Sequence, residues 1–272
     1  MFSFILFLSI SATAILGALK VSVLNQSRMA NVFTNSSYIN SMYNDVMDYS
    51  KDLCLKCGIP DSNLDNAITY KSISEIQNAY ILGNMDLDEM YSPSSYVDLI
   101  SKLNKEIVSQ TKKVIKENNI KVAGGMSAKG PQQFADEITS YLQSKVEFKY
   151  LSDIQSIVNV SSPVLNIGII LFAVLSIAFL LLTISFADKK YRALRSVCYS
   201  VFGAAALDIL LVILVGIVGI FKDLVIYPSY LCTSVMNYII FCVSTFLIEG
   251  ILLFLIGVIV GALVWRLKRN ND

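Results

Sequence analysis

The stretch Val164–Phe186, VLNIGIILFAVLSIAFLLLTISF, contains no charged residue and runs directly into Ala187–Arg195, ADKKYRALR, where four basic residues meet one acid. About 20 consecutive apolar residues suffice for a helix to cross a bilayer. A basic cluster beside such a run marks the side that stays in the cytoplasm. Three other stretches read the same way. The chain is therefore expected to be all-α, a four-helix bundle with transmembrane helices at 1–24, 163–187, 197–221 and 239–265. A second basic cluster, Arg266, Lys268 and Arg269, follows the fourth span. The loop 188–196 and the tail 266–272 then face the cytoplasm, and the loop 222–238, with only Lys222 and Asp223 for charges, faces out. Both termini are cytoplasmic on this reading. Residues 25–162 form a helical extracytoplasmic domain inserted between the first two spans of a multi-pass protein of the plasma membrane.

Composition points the same way. Of 272 residues, 54% are hydrophobic and only 16% charged, where a soluble domain is about a quarter charged. The mean hydropathy is +0.58. The chain has no histidine, which excludes His-based catalytic triads, His-ligated zinc and imidazole pH switches. A net charge of +1 without a long basic stripe argues against nucleic-acid binding. Ala12-Thr13-Ala14 resembles a signal-peptidase site, and cleavage there would leave three spans. Against this, no Lys or Arg precedes the apolar run, which continues to Leu24.

The insert has helical periodicity. Ile39, Met42, Val46, Tyr49, Leu53 and Cys57 recur at steps of three and four, predicting a helix from about Ser36 that ends at Gly58 before Pro60. A second helix is expected over 72–82. A third opens at Ser92–Ser95, with Ser95 and Asp98 at capping-box spacing and Tyr96, Leu99, Leu103, Ile107 and Val114 as its apolar stripe. Its other face carries Lys102, Lys105, Lys112, Lys113 and Lys116, a solvated surface. After a loop with Gly124 and Gly125, Pro131 begins a pattern that reaches Ile157, and Ser161-Ser162-Pro163 marks the start of the second span. Tyr191 and Trp265 at one level, with Tyr227, Tyr230 and Tyr238 at the other, suit interfacial aromatic belts.

Few residues suggest chemistry. Cys54 and Cys57 form a C-x-x-C, but at the end of a helix, where the dipole disfavours a thiolate. A packed pair or local disulfide is the simplest reading, ahead of redox or metal roles. Asp86, Asp88 and Glu89 lack the glycine and terminal glutamate of a calcium loop and read as an acidic turn. Asn25-Gln26-Ser27, Asn35-Ser36-Ser37 and Asn159-Val160-Ser161 match the glycosylation triplet. No catalytic, cofactor-binding or metal motif is found.

Asp208 and Glu249 stand out, because an ionised acid inside a span costs about 2.5–3.5 kcal/mol on insertion scales. At ~1.5 Å per residue both lie at middle to outer depth, and Lys20 is placed to reach Glu249 if spans one and four are neighbours. Ala204, Ala205 and Gly219 surround Asp208, and Gly250, Gly257 and Gly261 line one side of span four. Small residues let helices approach closely, so the acids are expected to face the bundle. The glycine-lined side could also serve a homo-oligomer.

Gly58-Ile59-Pro60 and Leu194–Ala205, LRSVCYSVFGAA, resemble uncharacterised four-span membrane proteins of Gram-positive bacteria. That likeness implies no activity. The span order is also similar to that of mechanotransmitting permeases of ABC transporters, but Met1 opens a span and the inner loop is short. The expectation is a non-enzymatic scaffold, adaptor or sensor that is held in the lipid bilayer by its spans and meets a protein partner through its outer domain. The alternative is a transport protein, either ion- or proton-coupled through Asp208 and Glu249 or permease-like.

Overall fold

The computed structural model describes residues 2–61, 64–118, 130–148, 150–187, 189–219 and 226–269. All regular structure among them is helical, as expected: α1 Phe2–Val21, α2 Gln26–Thr34, α3 Ser36–Cys57, α4 Leu64–Ala67, α5 Tyr70–Met85, α6 Pro93–Glu117, α7 Gly130–Val146, α8 Leu151–Ser185, α9 Lys190–Val218 and α10 Ser229–Arg269. Four helical stretches are long and apolar enough to cross a membrane. Gly124, Gly125, Lys222 and Asp223 lie outside the described residues.

The chain forms two compact units, one of residues 1–25, 156–226 and 235–272, the other of residues 26–155 and 227–234. In the first, α1 and α9 pack along a shared seam. Leu6, Val197 and Val201 are buried there, with Ile10, Phe179, Leu180 and Leu253 against them. The reverse faces of α8 and α10 are apolar and exposed, from Val164, Ile167, Ile170 and Val174 to Leu252, Leu255 and Ile259. Lipid is the solvent that such surfaces tolerate.

The second unit has its own core around Met42, Val46, Ile73, Ile76, Ile81, Ile107, Ile138 and Leu142. Its helices begin and end where local chemistry directs. Asn35 caps α3, its side-chain oxygen accepting from the Tyr38 N–H at 2.9 Å. Gly58 ends α3 at φ 67°, with the Ile59 N–H reaching back to the Cys54 carbonyl at 3.0 Å, a left-handed stop that glycine adopts without Cβ strain. Thr69 and Ser72 form a capping box on α5.

Four boundaries differ from the sequence reading. α6 is capped by a Ser92/Ser95 box with Pro93 in its first turn, so Ser95 and Asp98 are not the box. Proline at the first helical position suits this start, because its missing N–H would have had no partner there. Pro163 lies inside α8 instead of opening it. An interior proline costs ~3 kcal/mol, but breaking a spanning helix would leave backbone groups unpaired in hydrocarbon. α9 starts at Lys190, so Arg192 and Arg195 sit on its first turns. α10 starts at Ser229, about ten residues before the hydropathy rise, because Tyr230 and Leu231 pack against the core of the second unit.

Candidate functional site

In the first unit α1, α9 and α10 meet around two carboxyl groups. α1 and α9 run parallel: Ser200 Oγ donates to the Ser3 carbonyl at 2.8 Å, and the Phe7 ring covers Gly203. α10 runs antiparallel to α9. A Cβ on Gly250 would stand 2.9 Å from Ile209 Cγ1 and 3.3 Å from Asp208 Cβ, and one on Gly257 would stand 2.9 Å from Phe202 Cε1. Gly261 faces Cys198. The glycine side offered above to a second copy is thus packed against α9 of the same chain. Gly219 does not border Asp208 in this way; it ends α9 with a φ of 60°.

Asp208 is fully buried between Ala204, Ala205 and Gly250, and neither carboxyl oxygen has a hydrogen-bond partner. Eight residues beyond the Ser3/Ser200 pair along both helices of this parallel register stand Ser11 and Asp208. Ser11 is also buried, and its hydroxyl also has no partner. Glu249, half-buried, lies across from Gly17, where a Cβ would stand 3.6 Å from its Oε1. The two acids are near enough to interact electrostatically. They come together in the bundle, but the third expected member does not join them. Lys20 is exposed and makes no ion pair with Glu249.

The cysteines of the C-x-x-C are free thiols on different sides of α3, Cys54 inside and Cys57 exposed. Burial, then the charges of Asp61 and Cys57, push the Cys54 thiol up to about 11. A thiol so protonated is a poor nucleophile and a poor metal ligand. Asp86 takes the left-handed position that ends α5, and Asp88 accepts from the Met90 N–H at 3.0 Å, a local turn. Among the described residues no group of three Cys, Asp or Glu side chains is placed to hold a metal.

A second polar constellation lies in the other unit. Asp45 accepts from Lys145 Nζ at 2.9 Å, from the Tyr141 hydroxyl at 3.1 Å and from the Tyr230 hydroxyl at 3.3 Å. The Tyr49 and Tyr141 rings stack at 3.8 Å, and Tyr230 meets Tyr38 edge-on. Burial works against the Lys145 ammonium, but Asp45 and Tyr141 outweigh it and raise its pKa. Burial pushes Tyr38 up to about 12. Tyr230 is therefore half-buried in a protein core and is not a free belt residue, whereas Tyr227 is 86% exposed. This constellation joins positions far apart in the chain, which periodicity does not reveal. Its one local signal is an acid, Asp45, set between the stripe positions Met42 and Val46.

Comparison with protein-family models, with curated proteins and with solved structures finds no match, so the functional reading rests on these two constellations and on the division of the chain.

Proposed function

We propose that this is a multi-pass protein of the cell membrane, with its basic helix ends in the cytoplasm and its second unit outside, acting as a non-enzymatic adaptor or sensor. The observation that carries this is the second unit itself. It closes six helices and the first turns of α10 on a core of its own, which leaves its polar outer surface for a partner. The bundle, by contrast, presents lipid with apolar side chains. Cross-linking in intact membranes followed by gentle-detergent purification tests it. A stoichiometric protein partner, lost on charge reversal of surface residues of the second unit and kept on substitutions in the bundle, is the expected result. Hydrolytic or redox turnover by the purified protein would sink it.

The unpartnered Asp208 favours a second reading, an ion- or proton-coupled transporter. It requires that Asp208→Asn or Glu249→Gln abolish a measurable flux in proteoliposomes while the protein stays folded. Equal flux in wild type and both variants removes it.

A further inference from the structure

α9 and α10 meet at the glycines of α10 and part beyond them. Where they meet, Phe202 fills the notch at Gly257, and the Cys198 thiol donates to the Gly257 carbonyl at 3.4 Å. Beyond Asp208 and Gly250, two apolar clefts of about 380 and 420 Å³ open beside Leu211 and Leu247 and share Val215, Ile239 and Val243. Asp208 lines neither cleft; it lies one turn before Leu211, on the closed side of the point where the helices separate. A buried carboxylate with no hydrogen bond has no compensation for its charge, so the site calls for a cationic ligand. A hard metal ion needs about six oxygens around it. Around Asp208 the register sets the Ser11 hydroxyl at its level and Glu249 brings a second carboxyl group, while Ile209 and Gly250 present carbon, so the oxygens fall short of such a shell. A proton needs a single oxygen.

We propose that Asp208 is a proton-binding site of the bundle, reached from the parted ends of α9 and α10 by way of Glu249 and sealed on the other side by the Leu6, Val197 and Val201 cluster and by Phe7 on Gly203. The carboxylate takes one proton from hydronium in the water at that end and returns it to the same side. Glu249 is the charged group that faces it from α10. From α1 comes only the Ser11 hydroxyl, since Lys20 is exposed, and α8 has no titratable residue after Asp153. Loss of the proton sets two negative charges near one another beside the point where the helices separate and favours water entering between them. A gain closes them. The inference rests on the sensor reading for its purpose, naming proton concentration as the input, but not for its chemistry.

Infrared spectra of the full chain in lipid nanodiscs, taken from acid to alkaline pH, test it. The expected result is a carbonyl stretch of a protonated carboxylic acid at neutral pH that shifts when aspartate is isotope-labelled and disappears in Asp208→Asn. A wild-type spectrum with no aspartate-dependent band at neutral pH overturns the proposal without recourse to a variant. Proteoliposomes under an imposed pH gradient test the seal. The gradient should decay no faster than in empty vesicles, and a faster decay removed by Asp208→Asn overturns one-sided access. The absence of a protein partner would count against the adaptor reading and leave the infrared titration as it is.

Discussion

Asp45 is a carboxylate with three donors and one charge to share among them, so its removal is felt at all three. Asp45→Ala leaves the Lys145 ammonium, whose side chain is 12% exposed, without its counter-charge. Hydrogen bonds to charged groups contribute about 1.5–3 kcal/mol each, and stranding a largely buried charge costs more than the pair contributes. A loss of about 2–4 kcal/mol is expected in denaturant unfolding of the helical signal, with Asp45→Asn milder because an amide oxygen still accepts from one tyrosine. An effect under ~0.5 kcal/mol would mean that the three contacts are surface decoration. The same groups set an alkaline limit. Lys145 and Tyr38 hold their protons more tightly folded than unfolded, above ordinary values of 10.5 and 10.0. The stability this contributes is complete below those values and is lost as pH rises through the folded ones. Unfolding followed by tyrosine absorbance should therefore set in above pH 10 and come at lower pH in Lys145→Met. The two thiols of α3 differ in the same physical terms. A charged maleimide should label Cys57 rapidly and leave Cys54 until the protein unfolds, and equal labelling of Cys57→Ser and wild type would show that the buried thiol is reached.

Elements that are defined by local chemistry were readable in advance. The start of α3 near Ser36 and its stop at Gly58 depend on adjacent residues and are legible in the sequence, whereas the Asn35 cap is seen only in the structure. α6 is legible as a helix, but its cap lies three residues before Ser95, because Ser95 fits two boxes and only Pro93 in the first turn decides between them. Ser92→Ala should cost about 1 kcal/mol of stability, whereas Asp98→Ala should stay within ~0.5 kcal/mol. Equal costs would return the cap to Ser95 and Asp98. Apolar length alone could not locate the start of α10, since what holds Ser229–Ser234 helical is Tyr230 against Asp45 and Tyr38. The pairing of Asp208 with Gly250, and of Ser11 with Asp208's level, was equally hidden. Each depends on which spans are neighbours and on whether they run parallel, and no window on a single helix contains that. The α9/α10 contact makes its own prediction. Gly250→Val drives side-chain carbon into Ile209, 2.9 Å from an added Cβ, and toward the Ala205 carbonyl, 3.4 Å from it, and overpacking of this kind costs about 1–3 kcal/mol. Gly261→Ala meets only Cys198 Sγ at 3.5 Å, an ordinary contact. Thermal melts in detergent should separate the two, and equal melts would mean that α10 is not seated on α9.

At the scale of the molecule, the directions of the helices carry topological content. α1 and α9 run parallel, and α10 opposes α9. α8 opposes α1, since Phe2 stacks on Phe186 while Gly168 meets Leu16. The first unit is therefore up-down-up-down, and one face of it collects the start of α1, the α8–α9 connection and the end of α10. That face bears Lys189, Lys190, Arg192, Arg195, Arg266, Lys268 and Arg269, while the described residues of the bundle's opposite face offer only Lys20. An excess of this size in short segments sets orientation during insertion. It follows that single cysteines placed at position 187 and position 267 in a chain freed of its natural ones should react with a membrane-impermeant maleimide only after the cells are opened, whereas a thiol kept at Cys57 should react in intact cells. The reverse pattern would turn the molecule over, putting the Asp45 constellation in the cytoplasm and the parted ends of α9 and α10 toward the cell interior. Labelling of all three sites from outside would instead mean that the chain does not span the membrane four times.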